Sequence, residues 1–217
     1  MDEEVSHLTP AAAPLLAESD ERRIRAIRSR RWVLYPRAKQ ALDRLSRLLD
    51  HPRGTRMPSV AIYGDSGMGK TMIMKRFRDE HPPRFTQRIV LNTLRFLSNR
   101  LQISLVCFGV NEAREAISGD VQLARRFEQF TLSRWAANEQ FEALVASILR
   151  NTPLRSPSVL TPKSLRRMLQ ITEGITANIF HMINSLAVEA VESGREQITN
   201  EAVENWEPEF DTEAAFA

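Results

Sequence analysis

The chain has 217 residues, 42% apolar and 26% charged, enough to bury a core in one domain with an appendage or in two small domains. Its strongest apolar run, Leu105–Val110, is far short of the roughly 18–20 residues that cross a bilayer, and a single cysteine, Cys107, excludes an internal disulfide. The net charge of +3 is unevenly spread: residues 21–47 hold ten Arg or Lys against two acids, and residues 189–217 hold nine acids against Arg195 alone. A basic arm of this kind suits a polyanion partner, because phosphate neutralisation drives most non-specific nucleic-acid affinity; the plainer reading is a solvated helix face. The acidic end reads as a solubilising tail.

The opening MDEEVSHLTPAAAPLLAE is acidic where a secretory signal is basic, and Pro10 and Pro14 break it. Residues 1–19 are therefore expected to be extended, and the protein cytoplasmic. A helix is expected from about Asp20 to Ser29, and a second after Pro36, where Ala38, Ala41, Leu42, Leu45, Leu48 and Leu49 form a helical stripe. Residues 51–58 read as a turn-rich loop, Ser59–Tyr63 as a strand, and Lys70–Arg78 as a helix closed by Pro82 and Pro83. The periodicity predicts a helix over 91–101, then a strand over 103–109 whose apolar run suits burial on both faces of a parallel sheet. A short helix over 113–117 and a strand over 127–132 follow. From Asn138 on, helices dominate, at 138–150, 161–172, 176–193 and about 199–206, so a strand-containing half meets an all-helical half near Ser133.

Between the strand at 59–63 and the helix at 70–78 lies Gly64-Asp65-Ser66-Gly67-Met68-Gly69-Lys70-Thr71, a complete G-x-x-x-x-G-K-[ST] pattern in its required setting. The glycines let backbone N–H groups fold around a β-phosphate, and the helix N-terminus adds partial positive charge. Lys70 is expected to neutralise β/γ oxygens, and the Thr71 hydroxyl to ligate Mg2+. ATP or ADP with Mg2+ is therefore the expected cofactor. The second half of such a site, an apolar strand ending in Asp or Asp-Glu, is not found. The run 103–109 continues into Val110-Asn111-Glu112, and the run 87–92 ends in Asn92. Only 34 residues separate Thr71 from Leu105, room for the helix after the loop, a turn and one more helix, since a strand-plus-helix unit already takes about 30. No Ser-His-Asp arrangement, paired carboxylates or metal-ligand spacing stands out.

Together, ERRIRAIRSRRWVLYPRAKQALDRL (21–45), RMPSVAIYGDSGMGKTMIMKRFRDEHP (56–82), LNTLRFLSNRLQISLVCFGVNEAREAI (91–117), DVQLARRFEQFTLSRW (120–135) and LAVEAVESGREQIT (186–199) resemble the TniB family, AAA+ proteins of bacterial transposons related to TnsC. The resemblance implies an α/β fold of the P-loop NTPase, AAA+ type, with a reduced parallel sheet followed by a small all-helical lid. Its divisions are a flexible segment at 1–19, a truncated nucleotide-binding domain at 20–132, a lid at 133–206 and an acidic tail at 207–217. Family members carry several tens of residues, including the Asp-Glu strand, where Phe85-Thr86 here joins the two sides. Loss of that segment leaves three strands of the family order 5-1-4-3-2, a 5-1-4 core with strand 4 as a new edge.

The resemblance also implies roles for single residues. Gly64 to Thr71 form the nucleotide loop, Tyr35 and Pro36 lie near adenine, and Asn111 stands near a polar sensor position. Arg125 or Arg126 is the candidate arginine finger, offered to a neighbour's γ-phosphate; the plainer alternative is surface charge. The arginines Arg22, Arg23, Arg25, Arg28, Arg30 and Arg31 face DNA or a partner. The partners implied are DNA, a transposase with other transposition proteins, and further copies of the chain, with no membrane. The leading expectation is a nucleotide-binding protein of a transposition system that hydrolyses very slowly, because positioning and charge neutralisation both lack the strand-end acids. Two alternatives stand beside it: an active ATPase in which Glu112 or a partner's acid substitutes, and an inert remnant of a mobile element.

Overall fold

The computed structural model describes residues 7–52, 57–81, 104–110, 114 and 127–208. The chain divides into two units: Leu34–Arg134 form one, and the residues up to Val33 together with those from Trp135 onward form the other.

The first unit is α/β. Tyr35 holds an extended backbone, as a residue before proline prefers, and Pro36 opens the helix that follows it. In the second unit, α1 runs Asp20–Arg28; in the first, α2 runs Pro36–Leu49 and buries Ala38, Ala41 and Leu45 of the expected stripe. Strand β1, Ser59–Gly64, is buried along its whole length. It lies between β2, Val106–Gly109, and β3, Phe127–Leu132, in the order β2-β1-β3, with both pairings parallel. A parallel strand paired on both sides and covered on both faces is continuously apolar, as VAIY is here. The three strands lie where the sequence places them, in the order that the resemblance implies.

Strand β2 is shorter than expected and less buried. Val106 is 38% exposed, whereas every residue of β1 is buried; β2 is an edge among the described residues, and the apolar run alone does not distinguish edge from centre. The register sets Val60 opposite Val106 and Gly64 opposite Leu132. Helix α3, Lys70–Glu80, follows the glycine loop, buries Ile73 and ends at His81. Arg44 of α2 pairs with Glu128 of β3 at 2.9 Å and stacks its guanidinium over the Phe130 ring, 4.3 Å from the centroid. These contacts fix α2, and with it Tyr35, beside the sheet.

The second unit is helical: α1, α4 (Glu139–Arg150), α5 (Pro162–Thr172), α6 (Thr176–Glu192) and α7 (Asn200–Asn205). Asn138, Thr161 and Thr199 cap three of them, each side chain accepting a backbone N–H from three residues ahead. Residues 7–19 depart from the expected extended segment. They include a 3-10 turn at Ala13–Ala17, Leu8 and Ala12 are buried, and the Thr9 N–H donates to the Arg150 carbonyl at 2.8 Å. Pro14 sits at the start of the turn, where its missing donor is harmless. The helix expected over 91–101 lies outside the described residues, as does that over 113–117 apart from Arg114. No helix among the described residues is long and apolar enough to cross a membrane.

Candidate functional site

The site is built where β1 ends. Gly64 is required by its neighbour strand: a Cβ there would lie 2.6 Å from the Leu132 carbonyl oxygen and 3.0 Å from the Leu132 Cβ. The chain then turns through Asp65 to Met68, whose N–H donates to the Asp65 carbonyl at 3.3 Å. Gly67 and Gly69 take φ of 75° and 89°, a left-handed conformation that other residues rarely adopt. Met68 is buried and anchors the loop, while Ser66 and Gly67 are exposed. Gly69 caps α3, and its carbonyl accepts from Met72 and Ile73. The first amides of a helix have no acceptor within it, so the loop leaves donors at the place where alternating backbone conformations form an anion-binding concavity.

Lys70 is folded over this loop. Its Nζ donates to the carbonyls of Gly64 at 2.6 Å and Asp65 at 2.9 Å, holding the ammonium in the middle of the turn. Burial pushes the Lys70 ammonium below the ordinary lysine value, and the Asp65 carboxylate pulls it back up. Thr71, next in the chain, is exposed. Oxygens of an entering anion can replace the two carbonyls as partners of Lys70, and the Thr71 hydroxyl is open to a cation accompanying it. The residues present therefore suit a phosphate-bearing ligand with a divalent ion. Among the described residues no cluster of three His, Cys, Asp or Glu could hold a metal by itself.

Tyr35 comes to the loop from a distant part of the chain. Its hydroxyl lies 3.1 Å from the point where a Gly69 Cβ would stand. Tyr35 is buried, and burial pushes its phenol up to about 12, with the Arg37 charge acting weakly against that. The ring thus stays neutral at physiological pH. Pro36, which fixes the start of α2, is half-buried behind it. Asn111, Arg125 and Arg126 lie outside the described residues.

The basic arm divides. Arg25, Arg28 and Arg30 are exposed, and so is Arg22, which pairs with Glu18 at 2.8 Å. Arg23 corrects the expectation. It is fully buried, donates to Asp20 at 2.9 Å and to the Pro153 carbonyl at 2.9 Å, and forks onto both carboxylate oxygens of Glu196. Arg31 is also tied inward, to the Ile27 carbonyl, Thr152 and Asn184. The reason is helical: Arg23 and Ile27 sit one turn apart on the face of α1 that packs inward.

One contact at the site is absent from the sequence reading. Arg134 Nε donates to the Asp65 carboxylate at 2.7 Å. The only linear signal for it is position, two residues past the register partner of Gly64, which requires knowing that β3 pairs with β1.

A family model described as bacterial TniB protein matches residues 23–88 and 84–137, together more than half of the chain. No curated protein matches.

Proposed function

The chain belongs to the family of bacterial TniB proteins, and from that premise we propose that it is a nucleotide-binding protein of a transposition system, holding ATP or ADP with Mg2+ in the Gly64–Thr71 loop and hydrolysing it very slowly. The observation that carries this reading is the setting of Lys70, with its ammonium held over a glycine loop by two backbone carbonyls. Lys70 would hold the phosphate oxygens and the Thr71 hydroxyl would serve Mg2+, while Tyr35 closes the side of the loop at Gly69. The fold on this reading is a reduced P-loop fold of AAA+ type, with the helices from Trp135 onward as its lid.

Slow turnover follows from chemistry. In-line attack of water on a γ-phosphate is driven by a residue that orients the water, a strand-end glutamate in the family this chain belongs to, and by an aspartate that helps hold the metal. The sequence shows no apolar strand that ends in such acids. The two stretches that match the family meet at residues 84–88, which supports the loss of an internal segment at Phe85-Thr86. Its partners on this reading are DNA, a transposase and further copies of itself.

Equilibrium binding of a fluorescent ATP analogue, with and without Mg2+, tests the proposal alongside phosphate release. Binding is expected to fall at least tenfold in Lys70→Ala, on the scale of a lost charge-assisted contact (about 1.5–3 kcal/mol), while phosphate release stays at background. Steady turnover that Lys70→Ala abolishes would instead establish an ATPase with a substitute acid, Glu112 or one from a partner.

A further inference from the structure

An aspartate at the second position of a phosphate-binding loop is an electrostatic obstacle. Its carboxylate stands in the field of Lys70, whose titration it shifts, so it opposes the entry of a polyphosphate into the space that Lys70 serves. We propose that Arg134 belongs to the nucleotide site as a positioning residue that neutralises the Asp65 carboxylate, leaving the charge of Lys70 uncancelled for the phosphates. This rests on the nucleotide reading above.

The placement of Arg134 follows from the sheet. Strands β1 and β3 run parallel with Gly64 opposite Leu132, so both chains leave the sheet at the same end. Two residues on, Arg134 reaches back over the loop and donates Nε to Asp65 at 2.7 Å. The close approach of Leu132 to Gly64 fixes the distance between the two exits, because no side chain fits between them. The Arg134 side chain is 48% exposed and that of Asp65 31%. A pair this open contributes little to stability, but its carboxylate belongs to the loop itself and acts on Lys70. In a partly solvated setting, a carboxylate that loses this guanidinium opposes nearby phosphate charge. The pair therefore acts on ligand affinity rather than on folding.

A double-mutant cycle on nucleotide binding reads this directly, using full-length Asp65→Asn, Arg134→Gln and the double variant, with Lys70→Ala as the reference for the loop itself. Arg134→Gln is expected to weaken Mg-ATP binding roughly three- to tenfold, and Asp65→Asn to strengthen it by a similar factor. The double variant returns near wild type, Arg134→Lys keeps most of the affinity, and all shifts shrink at high salt and are smaller for AMP than for ATP. A contact that only holds the loop's shape gives a different sign: both single variants weaken binding, the double variant is no worse, and salt changes nothing. That result overturns the proposal, as does an Arg134→Gln protein that binds like wild type while Lys70→Ala does not. If wild type itself shows no binding, or Lys70→Ala binds equally well, the nucleotide reading fails and the role of Arg134 with it. Far-ultraviolet circular dichroism of each variant separates a folding defect from a binding effect, and Arg134→Lys keeps the test open if Arg134→Gln is unfolded.

Discussion

Gly64 and Gly69 occupy equivalent places in a motif, yet different forces require them. At Gly69 the backbone is left-handed, and the nearest obstacle to a Cβ is the end of a side chain, the Tyr35 hydroxyl. At Gly64 the obstacle is backbone: the carbonyl of Leu132, pinned by the β1–β3 ladder, stands 2.6 Å from the Cβ position. Gly64→Ala must therefore push two paired strands apart, an overpacking of the kind that costs about 1–3 kcal/mol. A urea denaturation midpoint clearly below wild type is expected, and an unchanged midpoint would mean that the two strands part at Gly64 without cost. The pattern of the motif makes the glycines legible, but not the reason for Gly64, because that reason lies on a strand 68 residues further along. Tyr35 and Arg134 share the limitation: each reaches the loop through tertiary packing, and neither carries a local signal of its task.

At the scale of elements, periodicity served well wherever burial is decided within one helix or strand. Helices α4, α5 and α6 begin and end within a residue or two of expectation, and α2 begins where expected; each has a buried stripe, and α2, α4 and α5 add a start signal, proline or a capping side chain. The turn at Ala13–Ala17 was illegible because its stability comes from elsewhere, from the end of α4 that receives the Thr9 N–H. Helix α1 shows the same effect in charge. Its arginines look alike in sequence, but the inward face removes Arg23 and leaves Arg25 and Arg28, with Arg30 just beyond the helix, on the surface. Any attraction of α1 and the residues just beyond it for DNA then rests on those three and Arg22. Replacing Arg25, Arg28 and Arg30 together with alanine is expected to weaken duplex DNA binding severalfold and to flatten its dependence on log salt by about three contacts' worth. Gel-shift or anisotropy titrations across salt measure both, and a slope unchanged by the triple substitution removes α1 from the interface. Folding should be untouched, since exposed substitutions rarely shift stability by more than about 0.5 kcal/mol.

Composition divides the chain once, near Ser133, but the molecule divides it twice, because the residues before Leu34 return to the helices after Arg134. What closes that discontinuous helical unit is a buried charge cluster. Arg23 on α1 grips Glu196 in the turn after α6, and Arg155 adds its side chain to the same carboxylate at 2.6 Å. Glu196 holds a left-handed φ of 55°, unusual for a residue with a side chain, and a glycine there would relieve the backbone but leave the buried Arg23 with only Asp20 and the Pro153 carbonyl as partners. Burial pushes the Glu196 carboxyl up, but the Arg23 hydrogen bond, the Arg155 N–H and the two guanidinium charges outweigh it and hold the group below the usual carboxylate range. A carboxyl held low when folded stabilises fully above its unfolded value of about 4.3 and loses that contribution as pH falls through the lower, folded value. Acid is therefore expected to loosen the helical unit below about pH 4. Glu196→Gln keeps the shape but not the charge, and removing one partner of a buried pair costs about 3 kcal/mol. Thermal melts of the two proteins should lie well apart at pH 7 and converge as pH drops below 4. A gap that stays constant with pH would show that Glu196 supports the unit by packing alone, with its charge playing no part.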